Sequence, residues 1–326
     1  MRWIWIWIWI LCVISAPVMA GNVLLIESYE QGYEWDASYV SALKQSLTPA
    51  HELHTFEMDT KRVPASRYSQ IAEQAFSRYQ QLKPQVVVLG DDNALVYMLP
   101  KLYNEPISIV FLGINSNPRK FMAQYQGQAK VTGILERPLY VKTMGEIGRM
   151  LDKDKRKVLV LFDSGSTASI ALEFMQTQAS MIEKNLGIAT EIASVATEKE
   201  WQTRISTAKE QGFGAIVVGL YQTLVDESEN NVPADTVLTW TNQHTEVPLF
   251  GFWDFSIGAG KAAGGVVLAG RDQGEMAGKT VLRILNNNED ASRIPIQIGQ
   301  QGRAIYHQGE MSRWGLSVPE GWMKID

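Results

Sequence analysis

The residues best suited to bind a small molecule are aromatic and polar side chains that follow predicted strands. The stretch Val23–Trp35, VLLIESYEQGYEW, runs from an apolar strand into an aromatic, acidic turn, and a helix-like segment follows it. Polar loops also follow three later apolar runs, at Asp91–Asn93, Gly113–Asn117 and Asp163–Thr167. Because the carboxyl ends of parallel strands lie at one edge of a sheet, the four loops are expected to open onto a ligand cleft.

The residue types in these loops favour binding. Aromatic rings stack on other rings or sugar faces and attract cations, whereas carboxylates and amides exchange hydrogen bonds with hydroxyl or ammonium groups. Trp253 and Asp254 follow another apolar run and pair an aromatic ring with a carboxylate. The predicted ligand-binding residues are Ser28, Tyr29, Tyr33, Trp35, Asp91, Asp92, Asn93, Asn115, Asp163, Ser164, Tyr221, Trp253 and Asp254.

Several of these positions also have a purely structural interpretation. Asp92 and Ser166 stand where helices should begin, and for each residue alone we favour N-capping, because its side-chain oxygen can accept an orphan backbone N–H. Trp35 can pack at a helix start and Trp253 at an interdomain hinge. The Asp163–Thr167 loop could hold an anion on backbone N–H groups, but it lacks the lysine and the spacing of a phosphate loop.

No assembled catalytic or metal-binding motif is found in the sequence. The four histidines are scattered, and no pair shows metal-ligand spacing. There is no Gly-x-Ser-x-Gly elbow, and the single cysteine is Cys12. We therefore predict that the protein is not an enzyme and uses no metal or cofactor, although its acidic residues are numerous enough to supply a carboxylate pair.

The N-terminal segment predicts export. Its sequence, MRWIWIWIWILCVISAPVMA, has one positive charge at Arg2, an apolar run, and small or short residues before Ala20, as in a secretory signal peptide at residues 1–20. A membrane anchor is the alternative, but the apolar run is shorter than the ~20 residues needed to span a bilayer. Leu11 before Cys12 disfavours lipid attachment. We predict a periplasmic location.

Composition bounds the class of protein. The chain has 326 residues, of which 45% are hydrophobic, and a net charge of -5. An acidic chain of this kind is not expected to bind nucleic acid or anionic lipid. Without a cysteine after residue 20, it must be held together by burial, which its length permits. Two domains are the expected organisation.

Strands and helices are predicted to alternate along most of the chain. Continuous apolar runs such as Val86–Gly90 and Lys157–Phe162 are typical of parallel strands buried on both faces. One-sided stripes, as in Asp36–Leu47 and Ser166–Leu186, are typical of helices packed on a sheet. The pattern restarts near residue 140, which indicates an α/β protein with two doubly wound, Rossmann-like lobes and mainly parallel sheets. A single large doubly wound sheet is the alternative.

Seven segments resemble the substrate-binding proteins of ABC transporters. In chain order they are VLLIESYEQGYEWDASYVSAL, MDTKRVP, GDDNALVYML, IVFLGINSN, GILE, PLFGFWDFSIGAGKAAGG and GEMAGKTVLRIL. The resemblance implies a type I periplasmic-binding fold that closes on a small-molecule ligand and works with an inner-membrane ABC permease. Because this branch of the family also supplies periplasmic input modules, a membrane sensor kinase or diguanylate cyclase is the alternative partner.

The resemblance also implies how the chain divides. After the signal peptide, the N-terminal lobe is expected to contain residues 21–135 and 254–290, and the C-terminal lobe residues 136–253 and 291–326. Three crossings between the lobes are expected, near Gly133–Pro138, Trp253–Ser256 and Asn288–Pro295.

Overall fold

The computed structural model describes residues 21–299 and 302–326, and the predicted signal peptide lies outside them. The strands are β1 (Asn22–Glu27), β2 (Glu52–Glu57), β3 (Val86–Gly90), β4 (Ser108–Ile114), β5 (Lys130–Leu135), β6 (Lys157–Asp163), β7 (Ala189–Val195), β8 (Ala215–Val218), β9 (Leu249–Gly251), β10 (Gly264–Val267), β11 (Gln297–Ile298), β12 (Arg303–His307) and β13 (Met323–Ile325). The helices are α1 (Glu34–Leu47), α2 (Tyr68–Leu82), α3 (Asp91–Leu102), α4 (Pro118–Met122), α5 (Tyr140–Met150), α6 (Ser166–Leu186), α7 (Glu198–Ser206), α8 (Ala234–His244), α9 (Gly270–Asn287) and α10 (Gln308–Arg313).

The strands form two separate sheets. The six-stranded sheet has the order β11-β5-β4-β3-β1-β2, and the seven-stranded sheet has the order β13-β12-β10-β9-β8-β6-β7. Neighbouring strands run parallel except for β10 and β12. This topology confirms the predicted α/β fold, and the alternative of one large sheet is wrong. We refer to the six-stranded sheet with the helices packed on it as the first lobe, and to the seven-stranded sheet with its helices as the second lobe.

The chain passes between the two sheets three times, and the first pass lies where it was predicted. It follows β5, within the segment Gly133–Pro138. The second pass was expected near Trp253–Ser256, but it follows Val267. The reason is that β10 pairs with β9 and β12 in the second sheet, although residues 254–290 were assigned as a whole to the N-terminal lobe.

The third pass also lies later in the chain than predicted. We expected it near Asn288–Pro295, but β11 pairs with β5, so the chain stays with the first sheet through Ile298. The assignment of residues 291–326 to the C-terminal lobe is therefore wrong for β11 and agrees with the sheet order for β12 and β13. A two-residue strand carries too weak a pattern to be recognised from sequence.

Helices α1 and α9 pack together against the first sheet. Gly274 permits their close approach, because a Cβ at this position would lie 2.2 Å from the carbonyl oxygen of Tyr39. The residues Val23 to Ile26 of β1 are completely buried, as expected for a strand covered on both faces. Within the described parts of the chain, no helix has the length and apolar character needed to cross a membrane.

Candidate functional site

Loops from both lobes meet in a cleft at the carboxyl ends of the strands. The Tyr29 hydroxyl, in the loop after β1, lies 2.9 Å from the Thr167 hydroxyl at the start of α6 and so connects the first lobe to the second. Next to this hydrogen bond lies a cavity of about 10 Å³, here called the central cavity. The predicted residues that line it are Tyr29, Tyr33, Trp35, Asp91 and Trp253.

Two larger pockets adjoin the central cavity. Pocket A has a volume of about 380 Å³, and its lining includes Tyr33, Tyr221 and Phe255. Pocket B has a volume of about 250 Å³, and its lining includes the predicted residues Tyr29, Asn93, Asp163 and Ser164. The cleft is therefore nearly closed at its centre and open at both pockets.

A chain of aromatic rings forms one wall of the cleft. The Tyr29 and Tyr33 rings meet edge to face with centroids 5.5 Å apart, and Tyr33 meets Phe255 in the same way at 5.7 Å. Phe255 in turn stacks on Trp253 at 6.3 Å and contacts the edge of Tyr221 at 6.3 Å. These separations are typical of favourable aromatic pairs, so the rings hold one another in place across the two lobes.

Asp91 is a buried carboxyl group in an unusual backbone conformation. It accepts a hydrogen bond of 3.0 Å from the Trp35 indole N–H, and its φ angle is 70°. Gly113 lies against it, since a Cβ there would be 3.1 Å from Asp91 Oδ2. Positive φ is costly for residues other than glycine and is found disproportionately at functional sites. Burial raises the pKa of Asp91 well above its usual value, and the nearby charge of Glu136 adds to this effect.

Glu136 was not predicted but lies at the centre of the polar network. It follows β5 and accepts hydrogen bonds from the Trp253 indole N–H at 2.7 Å and from Asn115 Nδ2 at 3.1 Å. Burial raises the pKa of Glu136 from 4.5 to about 8, and the two hydrogen bonds oppose this rise. Glu136 lies where the chain first passes between the lobes. Its hydrogen-bond partner Trp253 therefore lines the central cavity and also packs beside this connection between the lobes.

The N-capping interpretation of Asp92 and Ser166 is wrong. The N-cap residues are Gly90 for α3 and Gly165 for α6, and glycine has no side chain with which to cap its own helix. Asp92 lies inside the first turn of α3, so its carboxylate instead accepts the backbone N–H groups of Asn115 at 2.9 Å and of Ser116 at 3.0 Å. It therefore links two strand-end loops.

Ser28 performs the role at α3 that was expected of Asp92. Its hydroxyl donates to the carbonyl of Gly90 at 2.6 Å and accepts the backbone N–H of Ala94 at 2.8 Å. The side chain is fully buried. Its proton is therefore already committed to the backbone, and its ligand-binding role stays a prediction.

The second lobe contributes Asp163 and Ser164 to pocket B. The Asp163 carboxylate accepts the backbone N–H of Gly165 at 3.1 Å and of Thr223 at 2.9 Å, whereas Ser164 is exposed. On the first lobe, Asn93 donates to the Thr60 hydroxyl at 2.8 Å. Asp163 and Asn93 thus face one pocket from opposite lobes.

Asp254 does not join the other predicted residues. It lines a separate pocket of about 400 Å³ together with Glu34, Ser38 and Arg303. Burial raises the pKa of Asp254 to about 6, and the positive charge of Arg303 opposes the rise. The short turn after Trp253 directs these two neighbouring side chains to different cavities.

Two further acidic residues lie near the cleft, and sequence reasoning missed both. Asp36 is fully buried, and neither carboxylate oxygen has a hydrogen-bond partner among residues 21–299 and 302–326. Burial raises the pKa of Asp36 well above its usual value and that of Glu27 to about 8. In the described chain, no group of three or more His, Cys, Asp or Glu residues is arranged to hold a metal ion.

Lys61 is a further cleft residue that sequence reasoning missed. Its side chain lines the central cavity and both adjoining pockets. It follows β2, as Glu136 follows β5, so the rule that strand-end loops line the cleft would have identified both had it been applied to these strands.

Comparisons with known proteins show what the fold resembles. No protein-family model and no curated protein matches the chain. Among solved structures, an ABC domain from Streptococcus pneumoniae in complex with L-Trp has a TM-score of 0.65 and 14% identity, covering 94% of this chain and 100% of that chain.

Two further neighbours have different roles. A periplasmic ribose ABC transporter protein from Conexibacter woesei has a TM-score of 0.60 and 13% identity, covering 90% of this chain and 94% of its own. A LacI-family repressor from Corynebacterium glutamicum has a TM-score of 0.55 and 12% identity, covering 87% and 96%. At these identities the shared property is the fold, which is that of type I periplasmic binding proteins.

Proposed function

We propose that this protein is a periplasmic solute-binding protein that captures a small organic ligand between its two lobes and delivers it to an ABC importer. The observation that carries the proposal is the cleft that closes through the Tyr29–Thr167 hydrogen bond, with aromatic and carboxyl groups from both lobes around it. A closed state held by aromatic contacts and a few side-chain contacts, among them the Tyr29–Thr167 hydrogen bond and the Arg303–Asp272 and Lys261–Glu34 ion pairs, can open at small cost.

The comparisons support this role over the other uses of the fold. Neighbours with the higher TM-scores include the ABC domain bound to L-Trp and the ribose transporter protein. The net charge of -5 disfavours the DNA-binding role of the repressor. The predicted signal peptide would give the chain a periplasmic location, which a solute-binding protein requires.

The chemistry of the cleft limits the ligand to molecules that suit rings and carboxyl groups. The predicted contacts are Tyr29, Tyr33, Trp35, Asp91 and Trp253, which all line the central cavity. Such a lining favours an aromatic ring, a sugar face or a cationic amine.

The test begins with protein purified from a bacterial periplasm. Native mass spectrometry is expected to identify a copurifying small molecule, and calorimetry then measures its affinity for the stripped protein. Trp253→Phe should weaken binding at least about tenfold, since it loses the bond to Glu136. The matched control is Trp240→Phe, because Trp240 stacks on His244 away from the cleft.

Small-angle scattering provides the second measurement. The ligand-bound protein should have a smaller radius of gyration than the stripped protein. Equal radii with a ligand of measured affinity, together with unchanged affinity in Trp253→Phe, would contradict the proposal. Delivery is tested separately by ligand uptake into vesicles containing a candidate permease; stimulation of a sensor kinase or cyclase without uptake would favour the sensing alternative.

A further inference from the structure

The side chain of Lys61 occupies the centre of the cleft. Its Nζ lies 4.2 Å from the centroid of the Tyr29 ring and 4.7 Å from that of the Tyr33 ring. Both distances are within the range of cation–π contacts. Lys61 lines the central cavity, pocket A and pocket B, and it therefore separates the two pockets.

Acidic residues from both lobes line the same cavities as Lys61: Asp91 and Glu136 line the central cavity, and Asp163 lines pocket B. Burial lowers the pKa of Lys61, and the charges of Asp163, Asp91, Asp36 and Glu136 oppose this effect, in that order. In the described part of the chain, however, Lys61 forms no ion pair within 4.0 Å. The lysine residue as a whole is partly exposed, while its ammonium lies over the Tyr29 and Tyr33 rings. The Lys61 ammonium is therefore held by the ring faces and by charges beyond ion-pair distance, and another cation can take its place.

We propose that Lys61 is a tethered occupant of a binding site for the ammonium group of an organic cation. The faces of Tyr29 and Tyr33 and the carboxylates of Asp91 and Asp163 form this site, and an arriving ligand displaces the Lys61 side chain. Displacement would also join pockets A and B into one larger cavity. The inference rests on the proposed function, because it takes the interlobe cleft as the ligand site.

Charge balance favours a cation over an anion paired with Lys61. Asp91, Glu136 and Asp163 line the same cavities as Lys61, so an anionic ligand would compete with three acidic residues for one ammonium group. A ligand ammonium replaces that of Lys61 one for one and leaves the net charge of the cavity unchanged. The two roles predict opposite effects of removing Lys61: affinity for an organic cation rises, whereas affinity for an anion bound by the lysine falls.

The test replaces the part of the Lys61 side chain that an alanine variant lacks with a small molecule added in solution. Lys61→Ala removes a fragment equivalent to propylammonium, so propylammonium chloride should bind this variant at least about tenfold more tightly than it binds the wild type. Propanol, which has a similar shape without the charge, should not discriminate between the two. Lys61→Met keeps the side-chain volume and should not bind propylammonium. Lys261→Ala is the matched control, because Lys261 lines pocket A but contacts the Phe255 carbonyl instead of the rings.

A second readout uses the wild-type protein and does not depend on folding of the alanine variant. In protein labelled with ¹³C-lysine, ring currents from Tyr29 and Tyr33 should shift the methylene protons next to the Lys61 ammonium upfield of those of lysines that contact no ring. Lys157 is expected to give a second shifted signal, because its Nζ lies 4.2 Å from the centroid of the Phe213 ring. Lys61→Arg assigns the signal. The absence of an upfield-shifted lysine signal that disappears in Lys61→Arg, or equal propylammonium affinity for the wild type and Lys61→Ala, would overturn the inference.

These outcomes are distinguishable from failure of the proposed function. If propylammonium binds Lys61→Ala but no periplasmic solute binds the wild type, the ammonium site stands and the transport role fails. If a solute binds and compacts the protein while propylammonium does not bind the variant, the transport role stands and the ammonium site fails.

Discussion

Replacing Glu136 by glutamine should make the folded protein markedly less sensitive to alkaline pH. Glutamine keeps an oxygen that can accept the Trp253 indole N–H, now 2.7 Å from Glu136 Oε1. The new amide group would face Asn115. The Asn115 Oδ1 is buried, has no hydrogen-bond partner among residues 21–299 and 302–326, and can accept a hydrogen bond if the Asn115 amide rotates. The substitution therefore removes the titration while largely preserving the packing.

The magnitude follows from the pKa of Glu136, which burial raises from 4.5 to about 8. Between these values the folded state keeps a proton that the unfolded chain has lost. Stability therefore falls as the pH rises through this window, and the fall is complete above the folded-state pKa. Each pKa unit corresponds to about 1.4 kcal/mol, so the titration of Glu136 alone should lower the free energy of unfolding by about 3 kcal/mol between pH 5 and pH 8.

Urea unfolding of the wild type and Glu136→Gln at pH 5 and pH 8 measures this difference. The free energy of unfolding of the variant minus that of the wild type should be about 3 kcal/mol larger at pH 8 than at pH 5. Glu210→Gln, at an exposed position of the second lobe, is the matched control and should show no such gain. If the stability difference between Glu136→Gln and the wild type is the same at both pH values, the account of Glu136 is refuted.

Three further predictions concern contacts that build or close the cleft. Thr167→Val removes the interlobe hydrogen bond to Tyr29 and should increase the ratio of open to closed protein about fivefold. Small-angle scattering should then show a larger radius of gyration. The control Thr177→Val, on the exposed face of α6, should leave the radius unchanged. Ser28→Ala should lower the free energy of unfolding by about 2 kcal/mol, because the Gly90 carbonyl and the Ala94 N–H lose their buried partner, and a loss below about 0.5 kcal/mol would contradict that role. Gly133→Ala should destabilise by at least about 2 kcal/mol, because its Cβ would lie 2.3 Å from the Phe111 carbonyl oxygen. Gly145→Ala, in α5 with its nearest atom at 3.9 Å, should instead stabilise by about 0.5 kcal/mol, and thermal unfolding of the pair decides both.

The loops that line the cleft were predictable in principle, but the individual contacts were not. Asp91 and Asn115 were identified because their loops follow strands, and they do lie together near Glu136. The same rule also selected Ser28, whose hydroxyl is used by α3. Position at a strand end shows that a residue is near the cleft, whereas the direction of its side chain depends on which backbone groups its neighbours leave unpaired.

The sequence by itself determined the elements, because burial leaves a periodic record in the residues of each strand and helix. The helix predicted at Ser166–Leu186 forms with those bounds, and the buried strand Val86–Gly90 is where its apolar run placed it. The repeated alternation of strand and helix predicted mainly parallel sheets and favoured two lobes, but the sheet order was needed to exclude one large sheet.

Only the tertiary structure decided which segments belong together across long stretches of chain. The strands β10 and β11 exchange sheets relative to the prediction, because pairing partners far away in sequence fix a strand's place. The same long-range packing decided which residues lie at the centre of the cleft. In the sequence, Lys61 was only one residue of the segment MDTKRVP. It lies over the rings at the centre of the cleft because the loops after β1 and β2 lie side by side and the second lobe covers them.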